Sequence, residues 1–148
     1  QSLWNSVLER NPDAWMAHIN LGLVHEREGR PQQAISHYES ALAGDHFGKH
    51  KAHYNLGRIY ESIARFDLAQ AQYEQALAVK PDYADAHNNL GNLMTSQERY
   101  AEAIEHYRAA IRTANLTQAH NNLAVLLLQA GRYAEAWEHV ALFESQGG

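Results

Sequence analysis

The chain contains no cysteine, which excludes disulfide frameworks, thiolate catalysis and cysteine-based zinc sites. Helix breakers and strand formers are scarce. There are three prolines (Pro12, Pro31 and Pro81) and only fourteen valine, isoleucine and threonine residues, against 24 alanines. That balance predicts an all-α fold. Basic charge is not in excess: 12 lysines and arginines face 17 acidic residues, for a net charge of −5. The basic face of a nucleic-acid binder is therefore not expected. No apolar run approaches the roughly 20 residues of a membrane span, and no signal peptide is visible. With 45% hydrophobic and 20% charged residues in 148, the chain can build the core of about one domain. Gln1 stands where a methionine would start a gene product, so a piece of something longer is the expectation. Cytoplasm and periplasm both suit a cysteine-free chain, and the compartment is left unknown.

Periodicity organises the rest. Leu21-Gly22, Leu56-Gly57, Leu90-Gly91 and Leu123-Ala124 recur at steps of 35, 34 and 33 residues. Three residues before each leucine stands a histidine: His18, His53, His87 and His120. Alanines follow at Ala34, Ala69, Ala103 and Ala136, and then Tyr38, Tyr73 and Tyr107, with Val140 in the last copy. Ala41, Ala76 and Ala110 come next, with Phe143 last. Pro81 falls five residues after Ala76, and Pro12 is its counterpart one repeat earlier.

This pattern resembles the tetratricopeptide repeat (TPR), a helix–turn–helix unit of about 34 residues. The resemblance covers essentially all of 1–148 as a single domain. It has a half repeat at 1–12 and repeats at about 15–49, 50–83, 84–116 and 117–145. The implied fold is a TPR α-solenoid, a right-handed superhelix of antiparallel helix pairs with about 4.5 repeats. Amphipathic segments place helices at 3–10, 14–28, 31–43, 50–62, 66–79, 83–96, 100–113, 117–130 and 133–145. Asp13 and Asp82 stand where N-caps belong, and Gly29 and Gly131 where a helix ends in a left-handed residue. No repeat can bury its apolar stripe alone, and stacking neighbours does so.

Several positions depart from the family pattern. Repeat one has His25 where a tyrosine is usual, Pro31 at a tolerated helix start, and His46 in place of the terminal proline. Asn115 replaces that proline in repeat three, and Val140 and Phe143 alter the packing expected of repeat four.

Let each repeat be numbered from Trp15, His50, Ala84 or Thr117 as position 1. At about 100° per residue, positions 4, 7, 8 and 11 share one side of the first helix, which packs. Positions 2, 5, 6, 9, 12 and 13 form the opposite stripe, which the resemblance assigns to a concave, peptide-binding groove. Position 6 is asparagine throughout: Asn20, Asn55, Asn89 and Asn122. Asn88 and Asn121 add amides at position 5, and Asn92 adds one at position 9. A side-chain amide offers both a donor and an acceptor, matching a peptide group. The pattern is similar to the asparagine ladder of O-linked N-acetylglucosamine transferases. Two roles stay open: gripping a ligand backbone, and bonding adjacent first helices to one another.

Groove charge is mixed, with Arg27, Lys51 and Arg58 opposing Glu26, Glu61 and Asp85. The lysine–asparagine–arginine clamp by which related repeats hold chaperone C-termini is missing, since Ile19, Leu23 and Asp85 occupy its places. Met16, Ile19 and Leu23, near Tyr54, form an apolar patch that either seats a hydrophobic anchor or is covered by an upstream helix. The position-4 histidines are expected to pack, and His37, His106 and His139 to be exposed. His46, His50 and His53 have metal-ligand spacing without a carboxylate partner, so no metal and no cofactor is assigned. No phosphate loop, nucleophile elbow or isolated acidic pair occurs, so no catalytic residue is assigned and no enzyme activity is expected.

The function read from these features is a non-catalytic scaffold that binds a protein or peptide segment. Its groove residues are Asn20, Asn55, Asn89, Asn122, Asn88, Asn121, Asn92, Lys51, Arg58 and Tyr54. One alternative is a substrate-recruiting domain of a larger enzyme. Residues 2–15 resemble the entry into TPR tails of membrane or O-linked glycosyltransferases. The other is self-assembly into a homo-oligomer through uncapped terminal helices carrying Leu3, Val7, Val140 and Phe143.

Overall fold

The computed structural model describes residues 3–11, 14–43, 47–114, 116–136 and 138. Described residues form eight helices and no strand: α1 (Leu3–Arg10), α2 (Trp15–Arg27), α3 (Pro31–Ser40), α4 (Lys49–Ser62), α5 (Phe66–Val79), α6 (Ala84–Ser96), α7 (Tyr100–Ala114) and α8 (Thr117–Gln129). Residues 133–136 are also helical. The chain divides into two compact units, 1–80 and 81–148.

In the first unit α2 packs on α3 and α4 on α5, each pair joined by a tight turn. The core gathers Ile19, Ala34, Ile35, Tyr38, Ala41, Ala52, Leu56 and Ile59. Alanines let the helices approach, and Tyr38 of one repeat shares this cluster with Ala52 and Leu56 of the next. Ile19 is 8% exposed and Leu23 packs against the same cluster, whereas Met16 is 58% exposed. The apolar patch expected at these three residues is therefore mostly interior, because the α2 stripe is wider than the helical wheel suggests. In the second unit α6 packs on α7 and α7 on α8, around buried Leu90, Leu93, Leu123, Leu126 and Leu127.

The position-8 glycines have a steric cause. A Cβ on Gly22, Gly57 or Gly91 would lie 2.3, 2.5 or 2.5 Å from a ring carbon of Tyr38, Tyr73 or Tyr107 respectively. Repeat four, with Ala124 at this position, has Val140 in place of the tyrosine. The pairing of a small residue with a large ring is thus written in the repeat itself.

Turns between paired helices share one feature. Position 15 is left-handed in every repeat: Gly29 (φ 69°), Ala64 (φ 58°), Glu98 (φ 61°) and Gly131 (φ 73°). The two glycines expected at helix ends are there, and a non-glycine carries the same conformation in repeats two and three. Asp82 does not cap α6. Tyr83 is its N-cap residue, with extended backbone and no side-chain hydrogen bond. Asp13 lies outside the described residues.

Candidate peptide-binding groove

In the first unit Tyr38, Glu26 and Arg58 form one hydrogen-bonded set. The Tyr38 hydroxyl donates to Glu26 Oε2 at 2.9 Å, and Arg58 Nη2 donates to Glu26 Oε1 at 2.8 Å. Tyr38 is fully buried, and burial followed by the bond to Glu26 holds its hydroxyl pKa well above the usual value. The tyrosine of the next repeat makes the same contact, Tyr73 donating to Glu61 Oε2 at 2.8 Å. Asn20 donates to the Met16 carbonyl on its own helix at 2.8 Å. Asn55 is 7% exposed, Lys51 is exposed, and the half-buried Tyr54 ring lies 5.9 Å from that of Tyr73.

The second unit arranges its amides differently. Asn122 Nδ2 donates to Asn88 Oδ1 at 3.1 Å and to Asn92 Oδ1 at 2.9 Å, linking consecutive repeats. The Tyr107 hydroxyl also donates to Asn92 Oδ1 at 2.9 Å, and it meets Thr95 Oγ1 at 3.2 Å. Burial raises the Tyr107 pKa, which keeps the hydroxyl protonated for this work. Asn88 is 7% exposed and reaches Asn89 Oδ1 at 3.5 Å, while Asn121 is exposed. Asn122 therefore uses its amide nitrogen for both bonds, and its Oδ1 takes no part in them. Asn92 spends its Oδ1 on two donors and keeps its amide hydrogens.

Both amides line a cavity of about 250 Å³ together with Thr95, Tyr107, Val125, Leu126 and Gln129. Its origin is legible in the register. Where Arg58 (position 9) meets Glu26 (position 12 of the preceding repeat) in the first unit, the second has Val125 and Thr95. An ion pair occupies one place, and two short side chains leave space in the other. Of the cavity lining, the groove residues expected from the sequence include Asn92 and Asn122 but not Thr95, Tyr107, Val125, Leu126 or Gln129. The signal that could have found them is this exchange at positions 9 and 12 between neighbouring repeats.

Among the described residues no group of three or more histidine, aspartate or glutamate side chains is placed to hold an ion. His50 Nδ1 faces the Phe47 carbonyl at 3.0 Å and His53 Nδ1 faces Gln72 Oε1 at 2.8 Å, while His46 lies outside the described residues. Among the described residues no helix is long and apolar enough to cross a membrane.

Comparison with known proteins agrees with the repeat pattern and the helix pairing. Tetratricopeptide-repeat profiles match residues 12–82, 54–116 and 117–141. The comparison with curated proteins yields no significant match. Among solved structures, MamA is 25% identical with a TM-score of 0.77, over 95% of this chain and 81% of that one. The pilF protein of Pseudomonas aeruginosa is 26% identical with a TM-score of 0.88, over 98% of this chain and 66% of that one. YrrB, described as a TPR protein with an unusual peptide-binding site, is 22% identical with a TM-score of 0.81, over 99% of this chain and 75% of that one. Helix pairs repeating at this period, ring-and-glycine contacts in register and profiles spanning 12–141 lead to one conclusion: the chain belongs to the tetratricopeptide-repeat family.

Proposed function

We propose that this chain is a non-catalytic interaction scaffold that holds an extended peptide at the cavity of its second unit. One backbone peptide group of the ligand sits between Asn92 and Asn122. Its carbonyl accepts from Asn92 Nδ2, and its N–H donates to Asn122 Oδ1. The observation that carries this reading is the division of labour in the two amides: Asn92 Oδ1 and Asn122 Nδ2 are fixed within the protein, and both residues line a cavity of about 250 Å³. A pre-fixed amide loses little side-chain freedom on binding, so more of each bond survives as affinity. The two roles open for the asparagines are here two ends of one side chain. Asn88, Asn89 and Asn121 belong to the same reading as flanking residues within the second unit, and Asn20, Asn55, Lys51, Arg58 and Tyr54 are read as groove residues of the first unit by itself. The fold is shared with YrrB, for which a peptide-binding site is described.

Extended peptides enriched on the wild-type protein from a random display library provide the probe. Asn92→Ala should weaken an enriched peptide roughly three- to tenfold, the equivalent of one or two lost hydrogen bonds. Its melting temperature should fall by only a few degrees. Unchanged affinity alongside a large loss of stability would make the amides purely structural and overturn the proposal.

A further inference from the structure

Position 4 of every first helix is histidine, and position 23 of the second helix is His37, Gln72, His106 or His139. Residue 139 lies outside the described residues; in the other three repeats the two positions meet. His18 Nδ1 lies 3.1 Å from His37 Nδ1, and His87 Nδ1 lies 2.9 Å from His106 Nδ1. In repeat two His53 Nδ1 donates to Gln72 Oε1 at 2.8 Å. His37 and His106, expected to be exposed, are thus half-buried partners of the first helix. Ring centroids of the histidine pairs are 5.4 and 5.2 Å apart. These separations exceed the nitrogen separations by the full radii of two rings, so the nitrogens face head-on, as a linear N–H···N bond requires. A shared metal ion would make the two lone pairs converge at an angle and draw the rings closer.

The second pair also reveals its tautomers. His87 Nε2 is 3.1 Å from the Pro81 carbonyl, which can only accept, so Nε2–H is the donor there. Neutral His87 then presents the Nδ1 lone pair, and His106 donates its Nδ1–H to it. This bond tolerates one positive charge on the pair. A second proton, taken at His87 Nδ1, sets two N–H groups against each other. Repeat two lacks this conflict: Gln72 accepts from His53 whether or not the imidazole is charged.

We propose that the His18–His37 and His87–His106 pairs form an acid-sensitive joint that loosens the helix pairs of repeats one and three when the second histidine of each pair takes up a proton. His25 stacks on His37 at 5.2 Å and lies 3.4 Å from Glu28, which Arg30 meets at 3.1 Å. Of the helices packed on α2 and α3, α1 carries Glu9 and Arg10, and α4 carries Lys49, His50, Lys51, His53, Arg58 and Glu61. Around the second pair, Arg112 acts on His87 and His106 on Glu102. Asp85 lies on α6, Glu105 and Arg108 on α7, and His120 is the titratable residue of α8. Burial, then the neighbouring His18 and His25, hold the His37 pKa below its usual value. Burial lowers that of His87, the Pro81 carbonyl opposes this, and Arg112 lowers it further. A histidine whose folded pKa is lowered costs no stability above its ordinary pKa. It withdraws stability as pH falls through that value, because the unfolded chain then binds more protons.

The test compares wild type with H37Q/H106Q, which copies the natural pairing of His53 with Gln72. Melting temperatures are followed from about pH 7.5 to about pH 5.5, where histidine charge changes dominate. Wild type should lose more than twice as many degrees over this interval as the double variant. Ring NMR signals of His87 and His106 in wild type should titrate together in two separated steps. Parallel melting profiles, or two independent single-step titrations at the ordinary histidine value, would overturn the proposal. The NMR measurement needs no variant to fold.

Discussion

Replacing Gly57 with alanine tests the packing rule from which the repeat is built. The added Cβ would lie 2.5 Å from both Cδ1 and Cε1 of Tyr73, well inside any real carbon–carbon contact. Tyr73 has little freedom to retreat. It is fully buried, and its hydroxyl is fixed by Glu61 at 2.8 Å. Overpacking of this kind costs about 1–3 kcal/mol. Swinging the ring aside also breaks a hydrogen bond to a charged acceptor, worth about 1.5–3 kcal/mol. Together the loss is roughly 2.5–6 kcal/mol, or a fall in melting temperature of roughly 5–20 °C for a chain of this length. Thermal unfolding followed by far-UV circular dichroism measures it. Repeat four suggests the compensating change, since Ala124 there accompanies Val140. The double substitution Gly57→Ala with Tyr73→Val should therefore cost less than the sum of the singles. A Gly57→Ala protein melting within about 1 °C of wild type would refute the packing argument.

The left-handed residue at position 15 gives two further expectations. Ala64→Gly and Glu98→Gly should each stabilise by about 0.5–1 kcal/mol, because their φ values of 58° and 61° strain a residue with a Cβ. Conversely, Gly29→Ala should destabilise by about 1 kcal/mol although nothing lies within 4 Å to clash with the new methyl. Chemical denaturation midpoints at unchanged slope check both, and opposite signs would contradict the backbone account.

How far the sequence alone carries depends on the range of the interaction. Helix pairing and core positions were readable because they follow from spacing within one repeat: Ala34, Tyr38, Leu56, Tyr73, Leu90 and Tyr107 are buried where their register puts them. Helix ends were readable to within a few residues. α3 stops at Ser40 rather than at residue 43, and α4 starts at Lys49 rather than at residue 50. Asp82 was a plausible cap by residue type, but the backbone turns into α6 one residue later, at Tyr83. The candidate groove was less legible because its character depends on pairs drawn from different repeats. Glu26 with Arg58, and Thr95 with Val125, differ only when positions 12 and 9 of neighbours are read together. The four position-6 asparagines look alike in the sequence, yet Asn20 turns to its own backbone and Asn122 bridges to the preceding repeat. Side-chain geometry decides that, and periodicity carries no record of it.

Filling the cavity with the ion pair that already occupies its counterpart is the sharpest measurement. A peptide enriched on wild type is titrated against a protein carrying Thr95→Glu and Val125→Arg, which copies Glu26 and Arg58 into the second unit. With helical content retained, binding should weaken at least about tenfold, or about 1.4 kcal/mol. An affinity within about twofold of wild type would mean that the peptide is held elsewhere, and the proposed groove would fall.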